Sequence, residues 1–139
     1  MSIITLSIDF ELRWGVYQNL KNIDEYKDAL LNVHLAVPRM LKILEDYDIV
    51  STWATVGALG LEDWNQYFKL NPGNIQYTNK KLIFDCNRYS EEDPNGELHF
   101  APKLVKMIAN SNQELASHTF SHIYCKEAGV TYSDFLNDS

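Results

Sequence analysis

Apolar and polar residues alternate at the start of the chain. Apolar types occupy the even positions from 4 to 10, and polar types occupy the odd positions from 5 to 11. A period of two predicts a strand over residues 3–10 with one polar face. Runs of β-branched and apolar residues predict a second strand over residues 49–56 and a short third strand over residues 114–118.

Other stretches carry apolar residues at helical spacing. The longest covers residues 24–47, where such residues recur every three or four positions: Leu30, Val33, Val37, Leu41 and Leu44. Proline removes a helical hydrogen bond, so we expect this helix to be broken or kinked near Pro38. Shorter helices are predicted over residues 61–68 and 103–109, and another begins over residues 132–136.

Residues 71–102 show no sustained period and contain two of the six glycines and three of the four prolines. A loop of this length is uncommon in a domain, and it is usually functional or holds irregular structure that periodicity misses. Elsewhere strands and helices alternate, which predicts an α/β fold with parallel strands. We expect residues 1–139 to form a single domain.

The composition excludes several kinds of partner. Nineteen acidic residues against twelve Lys and Arg give a net charge of -7, so nucleic acid and anionic membrane surfaces are not expected partners. No secretory signal and no apolar run of roughly 20 residues is visible, which predicts a cytoplasmic location. Cys86 and Cys125 are too few and too far apart for a disulfide framework or zinc ribbon, and both are interpreted as reduced and structural.

Four polar residues follow the ends of predicted strands. Asp9 and Glu11 lie two positions apart, so they share one face at the carboxyl end of the first strand, where parallel α/β folds bind ligands. An isolated Asp-x-Glu pair is more often two solvated residues. His118 and His122 follow the third strand, and their imidazoles converge if the segment turns helically. Imidazole and carboxylate ligands suit zinc, and also iron, cobalt or nickel.

These residues carry a resemblance to a known family. Ile4-Thr-Leu-Ser-Ile-Asp-Phe-Glu11 resembles the first motif of the polysaccharide deacetylases, carbohydrate esterase family 4, in the branch that has Asp-x-Glu or Asp-x-Asp instead of adjacent aspartates. His118-Thr-Phe-Ser-His122 resembles the second motif, His-Ser/Thr-x-x-His. Residues 51–57 are similar to the strand between them. The resemblance covers nearly the whole chain.

The resemblance implies a fold and an activity. Family members are distorted, TIM-like (β/α) barrels with fewer than eight strands, and they are hydrolases that remove acetyl groups from N-acetylated sugars. Carried over, Asp9 would be the general base, and Glu11, His118 and His122 would hold a divalent metal, with zinc expected first and cobalt, nickel or iron as alternatives. The substrate would be an N-acetylated sugar or polysaccharide precursor. Glu11 stands where many relatives have Asp, so it would approach the metal from slightly farther back.

The resemblance also implies an incomplete barrel. Such barrels usually need on the order of 200 residues or more, so we expect the N-terminal portion of a deacetylase domain with the second half missing. The family's later motifs supply an orienting Arg, a groove-lining Asp and Trp, and a proton-donating His, and none can be placed here. An open sheet edge beyond residues 114–118 predicts self-association into a homo-oligomer, or a longer parent protein.

Two further functions stay open. The chain could be a catalytically silent metal-binding or assembly module, or an amidase that acts on a small non-sugar amide. Several conspicuous side chains are interpreted as structural. Trp14, Trp53 and Tyr124 are expected beside the site but as core residues, and His34 and His99 have no acidic partner at ligand spacing.

Overall fold

A computed structural model describes residues 3–17, 24–70, 73 and 75–139 of the chain. Three parallel strands form one sheet in the order β1 (Ser7–Phe10), β2 (Thr52–Thr55) and β3 (Glu114–Ser117). Asp9 is aligned with Ala54, which is aligned with Ala116. The carboxyl ends of the three strands therefore meet at one edge. The expected parallel α/β fold is confirmed for the described residues.

Two strands begin later in the chain than the sequence predicts. β1 begins at Ser7 instead of residue 3, and Ile3 and Ile4 are 86% and 94% exposed. β2 begins at Thr52, since the N–H of Ile49 donates to the end of the preceding helix and that of Ser51 donates to the Gln113 side chain. The N–H groups of Ile49 and Ser51 are therefore used outside the sheet, although the Ser51 carbonyl still accepts a hydrogen bond from the N–H of Glu114 in β3.

Five α-helices accompany the sheet in the described part of the chain. They are α1 (Asp24–Asp46), α2 (Trp64–Leu70), α3 (Cys86–Glu92), α4 (Pro102–Ala109) and α5 (Tyr132–Asp138). Short 3-10 turns cover Leu12–Gly15, Gly57–Gly60 and Lys80–Leu82. No described helix is both long enough and apolar enough to cross a membrane.

Of the two outcomes expected at Pro38, a break or a kink, the break is wrong. α1 runs without interruption through Pro38. Val37, Leu41 and Leu44 are buried in the core on either side of the proline. Burial of this apolar face outweighs the single hydrogen bond that proline removes.

The long excursion contains structure that periodicity missed. Within residues 71–102 lie α3 and the Lys80–Leu82 turn, and Asp85 caps α3 by accepting a hydrogen bond from the N–H of Arg88. The excursion packs on the rest of the protein through rings shared with the first and second βα connections: Trp14, Tyr17, Trp64, Tyr67, Phe84, Tyr89 and Phe100.

Most residues interpreted as structural are indeed part of the core. Trp14, Trp53 and His99 are almost fully buried, whereas Tyr124 is half-buried against the core. His34 differs, since it is exposed on α1. Both cysteines are free thiols.

Candidate metal centre

Three side chains converge at the carboxyl edge of the sheet. Glu11 directly follows β1, His118 directly follows β3, and His122 lies four residues farther on. Oε2 of Glu11 lies 3.0 Å from Nε2 of His122 and 3.4 Å from Nε2 of His118. One ligand atom from each residue lies within 4.8 Å of the others. The topology therefore brings one carboxylate and two imidazoles to a common point.

The spacing of these atoms fits a metal ion. Tetrahedral ligands about 2.1 Å from zinc lie about 3.4 Å from one another, so the two separations from Glu11 need only small adjustments. Three protein ligands leave coordination positions open for water or substrate. Such a site could polarise a carbonyl group and lower the pKa of a bound water.

Backbone turns bring Glu11 to this point. Glu11 ends the extended segment with φ -140° and ψ -13°, and Leu12 follows in the left-handed region with φ 46°. The chain then enters the Leu12–Gly15 turn, whose end passes close to the Glu11 carboxylate. A Cβ at Gly15 would lie 1.8 Å from Oε1 of Glu11. Glycine is therefore required at position 15 for the carboxylate to keep its place.

The segment that carries the two histidines is a loop. The imidazoles were expected to converge through a helical turn, but Thr119 and His122 have left-handed φ values of 61° and 62°. The N–H of His118 donates to the carbonyl of Thr55 at 2.9 Å and so extends the pairing of β3 with β2. The N–H of Ile123 donates to Oγ1 of Thr119 at 3.0 Å. Two left-handed residues, and not a helix, bring the imidazoles together.

The second strand supports the first half of this loop. The N–H groups of Gly57 and Ala58 donate to the carbonyls of Thr119 and Phe120, both at 2.9 Å. A Cβ at Gly57 would approach the Cα of Phe120 to 3.2 Å. The glycine after the second strand thus permits a close contact between two connections.

Electrostatics favour an ionised ligand. The hydrogen bond with His122 lowers the pKa of Glu11 more than burial raises it, and the charge of His118 acts in the same direction. Glu11 is therefore a carboxylate at neutral pH, the form that binds metals. The ring of His122 packs edge-on against Tyr124 at 5.1 Å, and its Nδ1 is buried without a hydrogen-bond partner among the described residues.

Asp9 occupies a different position. It lies on the exposed polar face of β1, opposite Ala54, and it does not belong to the described group of converging ligand atoms. Strand alternation places Asp9 and Glu11 on one face only while the strand continues. β1 ends at Phe10, and Glu11 already has the backbone of a turn.

Sequence reasoning missed two residues that shape the site. Gly15 contacts the Glu11 carboxylate, and Asp138 binds the loop between the histidines. The short spacing between Glu11 and Gly15 could have indicated a tight turn. Asp138 is separated from its partners by 17 and 18 residues, and no local pattern could have indicated that contact.

The fold and the cluster together define an α/β protein with a candidate divalent-metal site at the carboxyl edge of a parallel sheet. A family model described as polysaccharide deacetylase matches residues 24–138. Since this match covers most of the sequence, the chain belongs to the polysaccharide deacetylase family. The matched range includes His118 and His122, whereas Asp9 and Glu11 precede it. Neither the curated proteins nor the solved structures compared with the chain gave a match.

Proposed function

We propose that this chain carries part of the active site of a metal-dependent hydrolase that removes N-acetyl groups from a sugar or polysaccharide precursor. The observation that carries the proposal is the convergence of Glu11, His118 and His122 at the carboxyl edge of the sheet. Membership of the deacetylase family supports the choice of substrate class.

In this proposal the three converging side chains hold one divalent metal. Neutral imidazoles and a carboxylate suit zinc first, with cobalt, nickel and iron as alternatives. When bound, the metal would polarise the acetamide carbonyl and acidify water. Glu11 contributes a negative charge, because its lowered pKa keeps it ionised. The Nε2 atoms of His118 and His122 face the Glu11 carboxylate, so these atoms would hold the metal and each ring would carry its proton on Nδ1.

Asp9 is proposed as the general base. Its carboxylate is exposed on the polar face of β1, one strand position before the turn that presents Glu11. A carboxylate at this edge can accept the proton that an attacking water loses. Asp9→Asn should then lower acetate release strongly and leave zinc affinity nearly unchanged. If Asp9→Asn lost zinc affinity to the same extent as acetate release, the assigned role would be contradicted.

We also propose that β1, β2 and β3 belong to a (β/α) barrel and that the edge of β3 associates with a second copy of the chain. Among the described strands β3 pairs only with β2, and Leu115 in β3 is 42% exposed. An unpaired strand edge with apolar side chains favours association with another strand. Light scattering should therefore detect a homo-oligomer whose population increases with concentration. A monomer at every concentration would contradict association of this chain.

Calorimetric titration of the metal-free protein with zinc tests the metal centre. We expect one zinc per chain, and we expect binding to be lost in His118→Ala and in His122→Ala. His34→Ala is the matched control, since His34 is exposed on α1 and should leave binding unchanged. Absence of zinc binding by the folded wild-type protein would contradict the proposal.

Product analysis distinguishes the candidate activities. The zinc-loaded protein should release acetate from N-acetylated chito-oligosaccharides. Release of ammonia from small amides, without acetate, would favour an amidase. Tight zinc binding without hydrolysis of any acetamide would favour a catalytically silent metal-binding module.

A further inference from the structure

We infer that Asp138 is a positioning residue for the metal centre, which it supports by fixing the loop between the two histidines. The inference rests on the proposed metal site, since it concerns the geometry of two of its ligands. Asp138 is the last residue of α5 and is only 5% exposed. It does not belong to the converging group of ligand atoms.

The carboxylate binds two of the three residues that lie between the histidines. Oδ2 of Asp138 accepts hydrogen bonds from the N–H groups of Phe120 and Ser121, both at 3.1 Å. Oδ1 accepts a hydrogen bond from the hydroxyl of Ser121, and the Asp138 carbonyl accepts from the N–H of Phe120 at 2.7 Å. Both carboxylate oxygens therefore accept hydrogen bonds from residues that lie between His118 and His122.

The loop needs support because its backbone is unfavourable. Thr119 and His122 both have positive φ values, which non-glycine residues maintain only where the surrounding structure holds them. Bonds from Gly57 and Ala58 hold the first half of the loop from the β2 side. Asp138 holds the second half through Phe120 and Ser121, just before His122. Charge-assisted bonds to N–H groups are strong enough for this role.

Stabilisation of α5 does not explain this carboxylate. A negative charge at the end of a helix is opposed by the helix dipole, so Asp138 is unfavourable for α5 itself. The opposite end of α5 has a capping box in which Thr131 and Asp134 bind one another's backbone N–H groups. Asp134 therefore serves the helix, whereas Asp138 serves the loop.

This contrast supplies a matched pair of variants. Asp138→Asn and Asp134→Asn each remove one negative charge from α5, but only Asp138→Asn weakens the loop contacts. We expect Asp138→Asn to weaken zinc binding about 10- to 100-fold, the range found for residues that orient metal ligands. Asp134→Asn should keep the dissociation constant within about twofold, because its bonds do not touch the ligand loop.

Cobalt(II) gives a second measurement that a purely structural role would not change. Its visible absorption depends on the arrangement of the ligands, so Asp138→Asn should shift the absorption bands of the cobalt-loaded protein, and Asp134→Asn should not. If Asp138→Asn does not fold, Ser121→Ala tests the same contact. It removes one bond to Asp138 and keeps both N–H donors, so a smaller loss of zinc affinity is expected.

The outcomes separate this inference from the proposed function. If the wild-type protein binds zinc and Asp138→Asn binds it equally well with the same cobalt spectrum, the positioning role is wrong and the metal centre stands. Equal losses in Asp134→Asn and Asp138→Asn would also overturn it, because they would indicate a general effect of α5. If the wild-type protein binds neither metal, the proposed metal centre fails and the role of Asp138 fails with it.

Discussion

Gly15→Ala should displace the metal ligand Glu11 although Glu11 itself is unchanged. The added Cβ would lie 1.8 Å from Oε1, 1.9 Å from Cδ and 2.5 Å from Oε2 of Glu11. Carbon and oxygen atoms that are not bonded approach to about 3.3 Å, so the carboxylate must move by about 1.5 Å. Glu11 is a flexible side chain, and it can rotate away from the clash.

That movement is large for a metal site. Metal–ligand distances tolerate deviations of about 0.2 Å, so a displaced Glu11 no longer shares a metal with His118 and His122. Loss of an orienting residue alone weakens metal binding about 10- to 100-fold, and loss of the ligand should cost at least the upper value. One hundredfold corresponds to about 2.7 kcal/mol of binding free energy.

The fold should tolerate the same change. Gly15 has no positive φ, so alanine fits its backbone, and the less flexible unfolded chain favours folding by about 0.4–1 kcal/mol. In the presence of chelator, Gly15→Ala should therefore unfold at the same urea concentration as the wild-type protein or at a slightly higher one. Calorimetric titration of the same variant should detect weak or no zinc binding.

Gly60→Ala is the control for this experiment. Gly60 also ends a 3-10 turn, and its added Cβ would meet no atom within 4 Å. It should leave zinc affinity unchanged. If Gly15→Ala binds zinc with the wild-type dissociation constant, Glu11 is not held at the metal position by this contact, and the argument from close approach is refuted.

Three further predictions concern stability. Zinc at one hundred times its dissociation constant should raise the free energy of unfolding by about 2.7 kcal/mol, and a melting temperature that zinc does not change would contradict the site. Burial lowers the pKa of His99, so below about pH 6.5 the unfolded chain binds a proton before the native protein does, and stability falls. In the presence of chelator, the free energy of unfolding measured with urea should fall less steeply with decreasing pH for His99→Asn than for the wild-type protein. For His34→Asn it should fall as steeply as for the wild-type protein. Pro38→Ala should raise the free energy of unfolding by about 1–3 kcal/mol, because it restores a helical N–H inside α1. A free energy of unfolding below that of the wild-type protein would contradict this and would indicate that proline suits this helix.

The sequence predicted the fold where pattern and packing agree. Alternation located β1, apolar runs located β2 and β3, and helical spacing located α1, α2, α4 and α5. α1 and α4 bury apolar side chains at that spacing, whereas β3 and α5 bury none. Strand ends were wrong because hydrogen-bond partners decide them, as at Ile49 and Ser51. α3 was missed because it is short and lies in an aromatic-rich excursion, although the capping residue Asp85 was a visible start signal.

The candidate site was predictable in composition but not in geometry. Strand ends and motif resemblance selected Glu11, His118 and His122, and their side chains converge. Their backbone could not be foreseen, because left-handed φ is rare for a β-branched residue such as Thr119. The contacts of Asp138 also escaped prediction, since they depend on where α5 returns to the loop.

The two sides of the candidate site are held by different parts of the chain. On the Glu11 side, the N–H of Arg13 donates to the Leu98 carbonyl at 3.1 Å, and Nε1 of Trp14 donates to the His99 carbonyl at 2.8 Å. The excursion of residues 71–102 thus fixes the turn that presents Glu11.

On the histidine side, α5 and the connection after β2 fix the loop. No single segment can bring the three ligands together, so the site forms only when these parts of the chain have packed. Metal binding to such a site is coupled to folding. Zinc should therefore protect the excursion and α5 together from hydrogen exchange, although neither contributes a ligand, and protection confined to the residues around His118 and His122 would contradict this coupling.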